Sequence, residues 1–295
     1  MTIKHLVISG GGPSGMYVYG AIKNLSIKKF WNINNIQSIY GCSVGGLISV
    51  LISLKHEWGL LDDYIIKRPW EKVVSKYIKN IFDFYNEKGI CGENEIDDFV
   101  SPLLTAKGLD KNITLLELYN YNKIDIHIYT TNINKNKLEK IDLSFKTHPD
   151  LKVITALSMT MAYPILFKPV FYNDGCFIDG GILNNLPINN CLFNNKCDKN
   201  EILAFKNKWV NKTKITTINS SPYDYLLNLT EKIVLSSDTE DKQENLENVM
   251  ICQIEEFNNL NSWFDILVDR NIRINTINKG INQSDLFLSY HNFDN

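Results

Sequence analysis

The first 56 residues contain no aspartate or glutamate; Glu57 is the first acid in a chain of 295 residues. The chain also lacks a CxxC pair, a block of like charge, a low-complexity stretch and a bilayer-length apolar run. Each absence removes a class of reading. The longest apolar run, "VGGLISVLISL" from Val44 to Leu54, falls well short of the roughly 20 residues a spanning helix needs, and reads as a buried core helix. A net charge of −2 with no basic block argues against nucleic acid as a partner, because neutralising phosphates takes a basic surface. Cys42, Cys91, Cys176, Cys191, Cys197 and Cys252 follow no regular framework. They read as reduced thiols of a cytosolic protein, with neither disulfides nor a metal site expected. "MTIKHLVIS" is too short and strand-like for a signal peptide, and no small-residue cleavage site follows it. The expected location is the cytoplasm, with no secretion and no transmembrane segment; peripheral contact with membranes stays open.

What is present is a chain with 44 % hydrophobic residues, enough for a large core. Its periodicity alternates between strand and helix. Ile3–Ser9 reads as a buried strand, Gly15–Ile27 as a helix, Ser38–Gly41 as a short strand and Val44–Lys55 as a helix. Glu57–Lys107 reads as helical, broken at Pro69, Gly89 and Pro102. Asp125–Asn132 alternates as a strand, with "NKLEKID" as its hairpin partner. A helix is expected around Asp150–Met159, then two strands about the turn Asn173-Asp174-Gly175. Glu201–Lys206 and Val249–Ile254 read as late strands, and Ser262–Lys279 as a terminal helix. There is no internal repeat. The fold class is α/β, a three-layer α/β/α arrangement with a mostly parallel central sheet.

The loop "VISGGGPSGM" admits two readings. Gly10-x-Gly12-x-x-Gly15 after a strand is the dinucleotide fingerprint, but that fold needs an acid about 20 residues on to hold the ribose. The missing acids before Glu57 remove that ligand. The second strand runs instead into Gly41-Cys42-Ser43-Val44-Gly45, a G-x-S-x-G at a strand-to-helix turn, where a serine stands exposed on strained backbone. A nucleophilic serine needs a base. Ser43…Asp179…His291 has the chain order of an α/β-hydrolase triad, but only one strand precedes the turn and His291 lies near the chain end. Asp179, at the end of an apolar strand in "FIDGGILNNLP", is the better base and can take the serine proton directly.

A glycine loop after the first strand, G-x-S-x-G after the second and D-G-G far downstream together resemble the patatin-like phospholipases. "GMYVYGAIKNL", "ITLLELYNYNKIDIHIYTTNIN", "THPDLKVITALSMTMAYPILFKPV" and "FIDGGILNNLPI" resemble successive segments of that family, over about residues 5 to 206. The resemblance implies a patatin-like domain over 1–295, with an extension of about 207–295 packed on the core. It implies a serine acyl hydrolase with Ser43 as nucleophile and Asp179 as base. It assigns the oxyanion hole to Gly10, Gly11 and Gly12, with Gly15, Gly41, Gly45, Gly180 and Gly181 as motif glycines. It implies phospholipid or another acyl lipid as substrate, without cofactor or metal. Where the family's loop often carries a basic residue, this chain has Pro13-Ser14, and Pro13 has no N–H to give.

Lys67, Arg68, Lys72, Lys76 and Lys79 lie among Trp70, Tyr77, Ile78, Ile81, Phe82 and Phe84. They read as a surface helix with its apolar face inward, the alternative being a basic helix on an anionic lipid surface. "NKTKITTINSSPYDYLL" after Trp209 reads as a loop or lid, and Asp238–Asn248 as a polar connection. Two other functions remain as alternatives: a catalytically silent lipid binder on the same fold, and a flavin or nicotinamide oxidoreductase.

Overall fold

In a computed structural model of the chain, residues 2–75, 86–210, 215–220, 222–237, 246–256 and 260–291 are described. The apolar His5–Ile8 forms β1, buried at every position. A glycine loop follows, and α1 (Gly15–Ile27) returns the chain to β2 (Ser38–Cys42) and α2 (Val44–Ser53). Then come α3 (Trp58–Lys67), α4 (Trp70–Ser75), the short strand β3 (Gly89–Cys91) and α5 (Glu93–Thr105). The helix α6 (Leu115–Asn122) opens on a Thr114–Glu117 capping box. It leads into β4 (Asp125–Asn132) and β5 (Glu139–Leu143). After α7 (Val153–Met161) come β6 (Ile165–Phe167), β7 (Val170–Tyr172), β8 (Gly175–Asp179) and α8 (Ile188–Asn195). The described chain closes with β9 (Ile202–Trp209), α9 (Pro222–Ser237), β10 (Val249–Ile254), α10 (Leu260–Val268) and α11 (Arg270–Tyr290).

Eight strands form the main sheet, in the order β10-β9-β1-β2-β4-β8-β7, with β5 also on β4. The five from β10 to β4 are parallel; β8, β7 and β5 run antiparallel to their neighbours. Side chains alternate across the sheet as a strand period of two requires. Leu6, Ile8, Ile39, Ile128, Leu203 and Phe205 enter the larger core, whereas Val7, Tyr40, Tyr129, Ile202 and Ala204 enter a smaller one completed by Ile188 and Cys191 of α8. Both faces are therefore covered, and the α/β class with a mostly parallel sheet is the one found.

The register along β4 determines where functional side chains meet. β5 occupies one edge of β4 from Ile128 to Asn132. β2 pairs with Asp125–Tyr129 and β8 with Thr130–Asn132, so both must share the other edge. Cys42 pairs with Tyr129, and Asp179 pairs with the next residue, Thr130. The ends of β2 and β8 thus meet head to head.

Several local expectations need correction. Gly89–Cys91 is a strand, paired in parallel with β6, rather than a helix break. Pro102 lies inside α5 and does not end it. The terminal helix is two, divided where the Asp269 side chain accepts the Asn271 N–H and starts α11. Part of the segment after Trp209 is the helix α9, where a loop or lid was expected. Residues 76–84 of the basic, aromatic stretch, 211–214 of that later segment and 238–245 of the polar connection lie outside the described residues. No helix among the described residues is long and apolar enough to cross a membrane.

Candidate active site

Ser43 is the one residue between β2 and α2. Its φ of 52° and ψ of −128° lie outside the regions L-residues favour, a strain of order 1–3 kcal/mol. The turn is so tight that a Cβ on Gly45 would stand 2.3 Å from the Ile8 carbonyl oxygen. Only glycine fits there. The Ser43 N–H donates to Thr160 Oγ1 at 2.7 Å, and the Thr160 hydroxyl donates in turn to the Tyr129 carbonyl oxygen. The strained turn is thereby fastened to α7 and β4, and the Ser43 side chain is left for other partners.

Asp179 closes β8 beside it and is 3 % exposed. Its carboxylate accepts the Gly181 N–H at 2.8 Å and is close enough to the Ser43 hydroxyl to feel it. The Cys42 thiol lies 4.0 Å away. Burial raises the Asp179 pKa, and the Ser43 hydroxyl and the Gly181 N–H pull it back, leaving it pushed up to about 6. Such a carboxylate is ionised at neutral pH, yet is a better proton acceptor than an ordinary aspartate.

The glycine loop lies against the serine: a Cβ on Gly10 would stand 2.9 Å from Ser43 Cβ. The three glycines differ in what their N–H groups do. Gly10 donates to Asn185, to Oδ1 at 3.0 Å and to the backbone oxygen at 3.3 Å. Asn207 Nδ2 donates to the Gly10 carbonyl at 3.0 Å, and the Ser14 N–H and hydroxyl both donate to the Gly11 carbonyl. The N–H groups of Gly11 and Gly12 have no hydrogen-bond partner among the described residues. Gly12 has a φ of 57°, and a Cβ there would meet the Trp263 indole at 2.8 Å. The loop is thus gripped by Asn185, Asn207 and Trp263 with two backbone donors left over.

All five histidines are engaged elsewhere. His291 bonds the Phe287 and Glu247 carbonyls, and His56 the Leu103 carbonyl. His5 bonds Ser38, and His148 bonds Thr147. His127 is held between Asp125 and Asp142 and stacks on Tyr40 at 4.3 Å. The structure brings Ser43 and Asp179 together but not His291. Sequence reasoning missed Thr160, Asn207 and Trp263 altogether. Asn185 stood in the quoted "FIDGGILNNLP", but nothing in its spacing revealed a partner in the glycine loop.

The family profile described as Patatin-like phospholipase matches residues 6–192. The chain is 28 % identical over 284 residues to the probable lipid hydrolase 463L of Invertebrate iridescent virus 6, covering 93 % of this chain and 92 % of the relative. It is 30 % identical over 236 residues to an uncharacterized protein of Acanthamoeba polyphaga mimivirus, covering 77 % and 74 %. Among solved structures, VipD from Legionella pneumophila superposes with a TM-score of 0.53 at 18 % identity, covering 99 % of this chain and 67 % of that one. ExoU in its complex with SpcU from Pseudomonas aeruginosa gives 0.51 at 14 % identity, covering 98 % and 51 %. These two similarities concern the fold alone. With the profile spanning more than half its length, the chain belongs to the patatin-like phospholipase family.

Proposed function

We propose that the chain hydrolyses fatty-acyl esters of phospholipids or related lipids through a Ser43–Asp179 dyad. The observation that carries this reading is the strained Ser43 at the end of β2 standing beside the buried Asp179 carboxylate at the end of β8. Asp179 takes the Ser43 proton as Oγ attacks the ester carbonyl. The oxyanion that develops is received by the Gly11 and Gly12 N–H groups, at the start of α1 where the helix dipole favours negative charge. Gly10, whose N–H is already given to Asn185, serves to fix the loop. Asp179 returns the proton to the leaving alcohol, then takes one from water as its oxygen attacks the acyl carbon, and hands that proton to Ser43 Oγ as the acyl–serine bond breaks and the fatty acid leaves.

The test is fatty-acid release from mixed phospholipid vesicles by the wild type, Ser43→Ala, Asp179→Asn and His291→Ala. Activity in the wild type and His291→Ala, with a loss of at least about 1000-fold in the other two, is the expected result. Loss in a folded His291→Ala would overturn the dyad. Lipid binding without hydrolysis in every protein would make the chain a silent binder.

A further inference from the structure

We propose that His5, Cys191, Cys197 and Glu201 form a zinc-type metal site at the end of the sheet opposite Ser43. Ser43 follows the C-terminal end of a parallel strand, whereas His5 begins β1 and Glu201 immediately precedes β9. Cys191 lies in α8, and Cys197 just beyond its left-handed C-cap, Lys196. The fold therefore gathers four residues of metal-binding type where β1, β9 and the end of α8 converge.

One donor atom each from His5, Cys197 and Glu201 lie within 4.8 Å of one another. Zinc bonds of about 2.0–2.3 Å set tetrahedral ligand spacings of roughly 3.3–3.8 Å, so closure takes about an ångström of side-chain movement. Cys191 of α8 lies outside that trio and swings toward it to supply the fourth ligand. Two sulfurs, a nitrogen and a carboxylate oxygen suit zinc better than calcium or magnesium, which prefer oxygen alone.

The surroundings are built as such a site requires. His5 is 2 % exposed, and its Nδ1 is fixed on Ser38 Oγ at 2.7 Å, leaving Nε2 to coordinate. Asn195 Nδ2 donates to the same Ser38 Oγ at 3.3 Å and points an N–H at Cys191 Sγ at 3.6 Å. In the metal-free chain the Lys4 ammonium pairs with Glu201. A divalent ion displaces that ammonium and releases one proton from each cysteine as its sulfur binds. Bound metal would cross-link the start of β1 to the α8–β9 connection, a structural role distinct from the chemistry at Ser43.

The test uses the full chain with reduced thiols, stripped by a chelator and titrated with Co²⁺ and then Zn²⁺. One equivalent of cobalt should give a thiolate-to-cobalt charge-transfer band, and one equivalent of zinc should abolish it. Cys197→Ser, at a half-buried position that a serine fits, should lower affinity at least tenfold with circular dichroism unchanged, and His5→Gln should do the same. Lys4→Gln should bind at least as tightly as the wild type, and Ser43→Ala identically. Absence of the thiolate band in the folded, reduced wild type, or wild-type binding by Cys197→Ser, would overturn the proposal. Facile Cys191–Cys197 disulfide formation without metal binding would overturn it in favour of a thiol pair.

Discussion

Thr160 Oγ1 accepts the Ser43 N–H at 2.7 Å while its own proton goes to the Tyr129 carbonyl. A single hydroxyl thus joins the strained turn, α7 and β4. Thr160→Val keeps the shape but leaves a buried N–H and a buried carbonyl unpaired. A stability loss of about 1–3 kcal/mol is expected from that desolvation, with a lower kcat because the turn relaxes. Thr160→Ser should restore both. Urea midpoints and kcat for the two variants check this, and an unchanged Thr160→Val would sink it.

Asp179 acts as a base only when ionised, so kcat/KM should fall about tenfold per pH unit below about 6. The same burial carries a stability cost whose sign follows from proton linkage. A native pKa raised to about 6 from the ordinary 3.8 means that the folded chain holds this proton more tightly than the unfolded chain. The stabilising contribution is complete below about pH 4 and lost as pH rises through about 6, some 3 kcal/mol in order of magnitude. Asp179→Asn should therefore be inactive and yet more stable than the wild type at pH 7.5. Paired thermal melts and activity profiles from pH 5 to 8 measure both.

Gly12→Ala tests the glycine loop. The substitution forces a Cβ into the Trp263 indole and onto a φ of 57°. Displacing the Gly12 N–H should cost on the order of 100- to 1000-fold in kcat, with a smaller change in KM. Trp263→Ala together with Gly12→Ala removes the clash but not the φ strain. Partial recovery in the double variant would separate the two causes.

His127 carries a different pH signature. Burial works against its charge, but hydrogen bonds to Asp125 and Asp142 outweigh that and push its pKa up to about 9. Its contribution to stability is fully present below about pH 6.5 and lost as pH climbs through about 9, up to about 3 kcal/mol. His127→Gln should flatten the fall in melting temperature between pH 7 and 10. An identical fall in both proteins would show that His127 is not its source.

Much of the scaffold was legible because its signals are local. Gly15–Ile27 and Asp125–Asn132 were bounded by glycines and asparagines and kept a clean period, and both form over those residues. Ser43 and Asp179 were readable from the turn glycines around them. Their meeting was not, because it depends on β2 and β8 sharing one edge of β4, a register no single segment encodes. β3 is too short to show a period. Trp263 and Asn207 belong to late segments whose only sign was an ordinary helix or strand pattern. The glycine loop looked like a nucleotide site because the same backbone donors serve any anion.

The stretch matched by the family profile ends at residue 192, but β9 begins at Ile202 and lies between β1 and β10. A fragment trimmed to that boundary would expose the whole β1 edge, from His5 to Ile8, and bare Leu6 and Ile8 with it. An uncovered apolar edge of this kind recruits other chains into intermolecular sheet. It would also lose Asn207 and Trp263, two of the three side chains that grip the glycine loop. The boundary of the family profile and the boundary of mechanical integrity are therefore different lines in this molecule. Expression designs and chimeras must respect the second.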